Sequence, residues 1–243
     1  MTDAPYDLWY WPSIQGRGEF ARVFMAAAGI AWRDRARDSD AQALVEDMEA
    51  REKSSEFAPY APPYLVDRES DFAIAQVAHI LSWLTDRHDL GTGDRGLDLH
   101  LIQMQLTITD VVAEVHDTHH PIAGSLYYDD QKDAAAQAAK SFREERIPKY
   151  FDHFEAAYSK IDGPFVAGER WSHVDTSIFQ LIEGLRYAFP NRMKSVESDY
   201  PHLVAVRDAV ARIDGVAAYL ASDKRLAFNE DGIFRHYEEL DGK

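Results

Sequence analysis

The segment Leu8-Trp9-Tyr10-Trp11-Pro12-Ser13-Ile14-Gln15-Gly16-Arg17-Gly18 constrains this chain more than any other. A short apolar and aromatic run stops at Pro12, and a loop carrying two glycines follows. Phe20, Val23, Phe24 and Ala27 then fall at i, i+3, i+4 and i+7, with Gly29 where a helix would be capped. The chain therefore opens as strand, glycine loop and helix. The free amides at a helix N-terminus carry partial positive charge and suit an anion, and Tyr10 places a phenol beside them. The same residues also read as plain packing, because aromatic side chains favour strands.

The formal charge of −16 and the lack of any basic run argue against nucleic acid or an anionic membrane surface as partner. An anionic ligand would need a local positive patch, for which Arg17 and Arg22 are the nearest cations. There is no cysteine, which removes disulfides, cysteine-ligated metals and a protein thiol nucleophile. Any thiol chemistry must use a thiol that arrives with the ligand. The most apolar stretch, Phe72–Leu84, is interrupted by Gln76 and His79 and is too short to span a bilayer. Met1–Pro5 shows neither a basic nor an apolar leader pattern, so the expected location is cytoplasmic.

Further along, Ile30–Asp34 reads as a second strand and Ala41–Arg51 as an amphipathic helix. Three prolines within Phe57–Pro63 forbid helix there. Tyr64–Asp67 and Phe72–Ile74 form a hairpin pattern, and a helix follows to Arg87. The glycine-rich, polar segment 88–96 is the expected linker between a first domain, 1–87, and a second, 97–243. The second reads as helix almost throughout. A long helix starts near Leu97, a break covers His116–Asp130, and another long helix spans about 132–160 with a kink at Pro148. Three shorter helices follow near 173–187, 202–213 and 216–222, then a polar, irregular tail. Ser172 and Asp175 have capping-box spacing, a folding feature.

A βαβ–ββα unit followed by an all-helical domain resembles the layout of cytosolic glutathione transferases. Tyr10-Trp11, Gly16-Arg17 and Arg22 are similar to the N-terminal signature of the tyrosine-type classes (sigma, pi, mu), and the chain looks like a bacterial member of that group. Pro63-Tyr64-Leu65-Val66-Asp67 resembles the family's proline and following strand, and Gln76-Val77-Ala78-His79-Ile80-Leu81 its third-helix opening. Phe165–Gly168 with Ser172–Asp175 resembles its buried helix cap.

The resemblance implies a thioredoxin-like α/β domain that binds glutathione, an all-α domain bearing a hydrophobic-substrate site, a homodimer, and no metal. Tyr10 would be the thiolate donor, with Ser13 as the competing hydroxyl. Trp11, Arg17, Lys53, Pro62, Pro63, Gln76, Val77 and Asp110 fall at glutathione-binding positions. For Lys53 and Asp110, plain solvent exposure is the alternative reading. Ser13, Ile14, His116, His119, His120 and Tyr127 would line the electrophile pocket. Pro63 would follow a cis peptide bond. Two positions depart from the family. Pro62 has no N–H where the ligand's cysteinyl backbone expects a donor, and Val77 lacks the hydroxyl that would meet the γ-glutamyl carboxylate. A lost hydrogen bond to a charged group costs on the order of 1.5–3 kcal/mol, so weaker or altered glutathione binding is expected.

The implied chemistry is within reach of one phenol. A thiol of pKa about 8.5 is roughly 3% ionised at neutral pH, and lowering it by about two units takes about 2.7 kcal/mol. A hydrogen bond to a charged acceptor supplies about 1.5–3 kcal/mol, and a helix N-terminus about 0.3–1 more. The alternatives are a non-catalytic ligand carrier or structural protein of the same fold, and a glutathione-dependent isomerase or ether-cleaving enzyme.

Overall fold

In the computed structural model, which describes residues 4–242, strand β1 (Tyr6–Trp9) lies between β2 (Trp32–Asp34) and β3 (Tyr64–Asp67), and β3 pairs with β4 (Phe72–Ala75). The leader reading at Met1–Pro5 falls mostly outside the described residues. β1 and β2 are parallel because α1 (Gly18–Ala27) makes the crossover between them. β1–β3 and β3–β4 are antiparallel, the latter a hairpin. The order β2-β1-β3-β4 makes a mixed sheet. Side chains alternate across it. Leu8, Leu65 and Ile74 share one paired row and are buried. Trp9, Tyr64 and Val66 form a cluster with Ala36 of α2 (Arg35–Asp38) and Leu44 of α3 (Ala41–Ser54). The α3 start is fixed by Asp40, whose carboxylate accepts the Ala43 N–H at 2.9 Å. α4 (Val77–Arg87) follows β4 directly and packs against α1.

The chain divides into two units. The first runs to Gly91 and also takes in Ile213–Ala227; the second comprises Thr92–Arg212 with Phe228 onward. In the second unit α5 (Arg95–Asp117) is capped by Asp94, which accepts the Gly96 and Leu97 amides. The expected long helix at 132–160 is three pieces: α6 (Lys132–Ser141), a π-turn at Phe142–Arg146, and α7 (Ile147–Tyr158). Pro148 has no N–H for the carbonyl four residues back, and the turn before it widens accordingly.

The buried centre of this unit is α8 (His173–Ala188), packed on α5 and on α10 (Pro201–Ala211). Its N-terminus shows the predicted capping box: Asp175 accepts the Ser172 N–H at 2.7 Å, and Ser172 Oγ accepts the Val174 N–H at 3.2 Å. A short helix absent from the sequence reading, α9 (Pro190–Val196), begins at a proline. α11 (Asp214–Leu220) belongs to the first unit, and α12 (Glu238–Asp241) ends the second. The tail is irregular as far as α12, a helix the sequence reading did not give, and it is not merely polar. Ile233, Phe234 and Leu240 are buried, and Phe234 covers Gly184, where an added Cβ would lie 2.4 Å from its ring. No described helix is long and apolar enough to cross a membrane.

Candidate active site

Strand register assembles the first part of the site. Trp9 pairs with Tyr64, and Tyr64 with Ala75. Tyr10, Pro63 and Gln76 each lie one residue beyond that row, at the same end of the sheet, where neighbouring strands run about 4.8 Å apart. The Pro62–Pro63 bond is cis. Pro62 is half-buried and Pro63 buried. Gln76 is exposed with φ of 70°, a left-handed conformation, and Val77 begins α4, so the Val77 and Ala78 amides sit at that helix N-terminus.

Tyr10 is 4% exposed. Its hydroxyl oxygen accepts the Arg17 backbone N–H at 2.9 Å. The two loop glycines exist for this ring: a Cβ on Gly16 would stand 2.2 Å from the Tyr10 hydroxyl, and one on Gly18 would stand 2.7 Å from the ring. Burial pushes the phenol pKa up, against the Arg17 amide and the charges of Arg17 and Arg22, so Tyr10 is protonated at neutral pH. Because its oxygen is an acceptor for Arg17, its own proton remains for an outside acceptor.

The other loop residues spread outward. Trp11 is 39% exposed, Ser13 is exposed, and Ile14 and Arg17 are half-buried. Arg22, offered by the sequence as a cation for an anionic ligand, is engaged within the protein instead. It is fully buried, with Nε 2.6 Å from Asp34, and with Nη1 on Glu19 at 3.0 Å and on the Gln15 carbonyl at 3.3 Å. Burial alone would lower its pKa, but Asp34 and Glu19 raise it, and its charge is neutralised internally. Its guanidinium lies 5.9 Å from the Tyr10 ring centroid. Sequence reading missed Glu19, Tyr219 and Arg225, which join this cluster; nothing in local pattern links positions two hundred residues apart. Lys53 is solvent-exposed, 3.8 Å from Glu49 of its own helix, and is not brought to the Tyr10 loop by any described contact.

In the second unit Asp110 is exposed on α5. His116, His119 and His120 do cluster, with ring centroids 4.7–5.3 Å apart. His119 is buried and meets the Ile233 carbonyl through Nε2 at 2.8 Å. A carbonyl only accepts, so Nε2 carries the proton and Nδ1 accepts from His120 Nδ1–H at 2.5 Å. Burial pulls the His119 pKa down to about 3. His116 meets Asp117 at 3.1 Å. Tyr127 is 81% exposed, whereas Tyr128 stacks on Tyr237 at 3.9 Å and donates to Glu239 at 2.9 Å. Among the described residues no group of three or more His, Asp or Glu side chains is arranged to hold a metal.

Residues 116–223 match the family model described as glutathione S-transferase, C-terminal domain. Glutathione S-transferase P 1 of Xenopus laevis is 28% identical over 90% of this chain and 93% of its own length. Among solved structures, the Pi-class glutathione S-transferase of Onchocerca volvulus superposes with a TM-score of 0.63 at 20% identity, over 94% of this chain and 99% of that one. Prostaglandin synthase D of Nilaparvata lugens does so with a TM-score of 0.66 at 17% identity, over 90% and 98%. These likenesses show the fold: a thioredoxin-like N-terminal domain and an all-α C-terminal domain.

Proposed function

We propose that this chain, for which the family match and the curated relative support the glutathione S-transferase family, is a tyrosine-type transferase. On this reading it ionises the glutathione thiol and directs the thiolate at a hydrophobic electrophile. The observation that carries the reading is the shared sheet end of Tyr10, Pro63 and Gln76, with the Tyr10 hydroxyl fixed on the Arg17 amide. The thiol proton leaves to solvent. The neutral phenol donates its hydrogen bond to the sulfur anion, the sulfur attacks the electrophilic carbon, and the S–C bond forms as the leaving group or π-electron pair departs. The phenol must stay neutral to donate, and its raised pKa keeps it so.

Glutathione binding draws on Trp11, Arg17, the Pro62 carbonyl, Pro63, Gln76 and the Val77 and Ala78 amides, which can receive a carboxylate at the helix N-terminus. Lys53 and Asp110, both solvent-exposed, contribute least. Ser13, Ile14, His116, His119, His120 and Tyr127 remain the proposed electrophile lining, within a homodimer of two-domain subunits in the cytoplasm.

The test is the thiolate absorbance of bound glutathione titrated against pH in wild type and Tyr10→Phe. A rise of about one to two units in the thiol pKa on losing the hydroxyl is expected from a charged hydrogen bond of roughly 1.5–3 kcal/mol; an unchanged pKa would transfer the role to Ser13. A second reading, a non-catalytic ligand carrier, is favoured by Pro62 and Val77, each of which withholds a ligand contact. Calorimetric titration separates the two: no binding at millimolar glutathione would sink the enzyme reading.

A further inference from the structure

Beneath the Tyr10 loop lies a fully buried carboxylate. Glu19, in the first turn of α1, is 0% exposed. Its Oε2 accepts from Arg22 at 3.0 Å. Its Oε1 accepts the Tyr219 hydroxyl at 2.6 Å and Arg225 Nη1 at 2.7 Å. Both of the latter come from Ile213–Ala227, the late segment that joins the first unit. That segment reaches α1 because Gly215 has no side chain: a Cβ there would be 2.0 Å from the Ala26 carbonyl oxygen. It also grips the loop directly, since Gln15 Nε2 donates to the Leu226 carbonyl at 2.5 Å. The Glu19 amide in turn donates to the Gln15 carbonyl at 3.1 Å, the same oxygen that Arg22 holds. Both ends of the loop, Gln15 and Glu19, are thus tied to residues 219–226, and Arg17 sits between them.

We propose that Tyr219 and Arg225 are positioning residues: through Glu19 they fix the first turn of α1 so that the Arg17 amide meets the Tyr10 hydroxyl, a role that rests on Tyr10 being the thiolate donor. A buried carboxylate with charged partners is an expensive way to gain stability, since apolar replacements often serve as well. It is an effective way to fix orientation, because each charge-assisted bond tolerates little displacement. A phenol can polarise a sulfur anion only if its oxygen is held and its proton aimed, and misplacement by about 1 Å can cost on the order of a hundredfold in rate. The chain thereby uses its late segment as a brace for a loop near its start.

The experiment uses the full chain with Tyr219→Phe, Arg225→Gln and the conservative Arg225→Lys. Amide hydrogen exchange is read at Arg17 without thiol, and the pKa of bound glutathione by thiolate absorbance. Losing one bond to the Glu19 carboxylate is expected to speed Arg17 exchange by on the order of tenfold, with α8 amides unmoved. The bound thiol pKa should rise, kcat should fall more than KM changes, and Arg225→Lys should recover most of the loss. Arg17 exchange at the wild-type rate in both Tyr219→Phe and Arg225→Gln would overturn the proposal. So would faster exchange along all of α1 with the thiol pKa unchanged, the signature of a purely structural brace. Failure of the functional reading shows separately, as an unchanged thiol pKa in Tyr10→Phe itself.

Discussion

A Cβ placed on Gly16 would come within 2.2 Å of the Tyr10 hydroxyl oxygen, closer than any non-bonded carbon and oxygen can approach. The φ of Gly16 is 46°, in the left-handed region, so a side chain there is strained even before it meets the ring. Gly16→Ala therefore combines about 1–2 kcal/mol of backbone cost with displacement of Tyr10. Its melting temperature should fall by several degrees, and kcat/KM should fall further than that stability loss implies. Thermal denaturation beside a conjugation assay checks this; full activity in Gly16→Ala would mean that the phenol position does not matter.

Arg22 offers a second test. It is buried between Glu19 and Asp34, with Nε 2.6 Å from Asp34. Arg22→Met takes from Glu19 and Asp34 the buried cation they share, leaving Arg225 on Glu19 at 2.7 Å and Arg37 near Asp34 at 3.6 Å, and breaking a buried pair in this way costs about 3–5 kcal/mol. Unfolding by denaturant should show that loss. It should be nearly the same at low and high salt, because a buried pair is screened far less than a surface one. A loss that vanished at high salt would place Arg22 in solvent.

The contrast between Arg22 and its neighbours shows what could be read from the sequence. The βαβ–ββα unit was legible because strand alternation, proline breaks and the helical spacing of Phe20, Val23 and Phe24 are local signals. So was the Ser172–Asp175 cap, since its two partners are three residues apart. Tyr10 was legible as a phenol next to a helix start. Arg22 was not, because a cation on a helix looks the same whether solvent or a distant carboxylate faces it. Tyr219, Arg225 and Phe234 were hidden for the same reason: their partners Glu19 and Gly184 are set by tertiary packing that no short window contains. The π-turn before Pro148 shows an intermediate case, where the cause was visible and the form of the kink was not.

Two buried histidines predict an acid sensitivity. Burial holds His119 near pKa 3 and His173 near 4, both below the ordinary value of 6.5. The folded chain therefore keeps both neutral while the unfolded chain takes up protons below about pH 6.5. Their stabilising contribution is complete above that pH and is lost as pH falls toward 4, by up to about 1.4 kcal/mol per pH unit for each group. His119→Asn removes one of the protons taken up on unfolding. Denaturant unfolding between about pH 6 and 4.5 should show a shallower pH slope in the variant, by up to one proton's worth; identical slopes would mean that His119 titrates normally in the fold.

Asp175 makes the strongest stability prediction in the second unit. Ser172→Ala removes one cap acceptor and should cost about 1 kcal/mol. Asp175 does more than cap. Its buried carboxylate accepts from Ser172 N–H at 2.7 Å, Val166 N–H at 2.9 Å and the Tyr158 hydroxyl at 2.8 Å, tying α7, the 165–168 turn and α8 together. With the Ser172 hydroxyl, which also donates to it at 2.7 Å, Asp175→Ala takes the acceptor from four buried donors, at about 1–3 kcal/mol each where no water enters, so the loss should be several times that of Ser172→Ala. Tyr158→Phe in the Asp175→Ala background should then cost less than in wild type, since its hydroxyl no longer has that partner. The double-mutant cycle, measured by denaturant unfolding, should give a coupling of about 0.5–3 kcal/mol. Additive losses would show that the Tyr158–Asp175 bond contributes nothing to holding α7 against the start of α8.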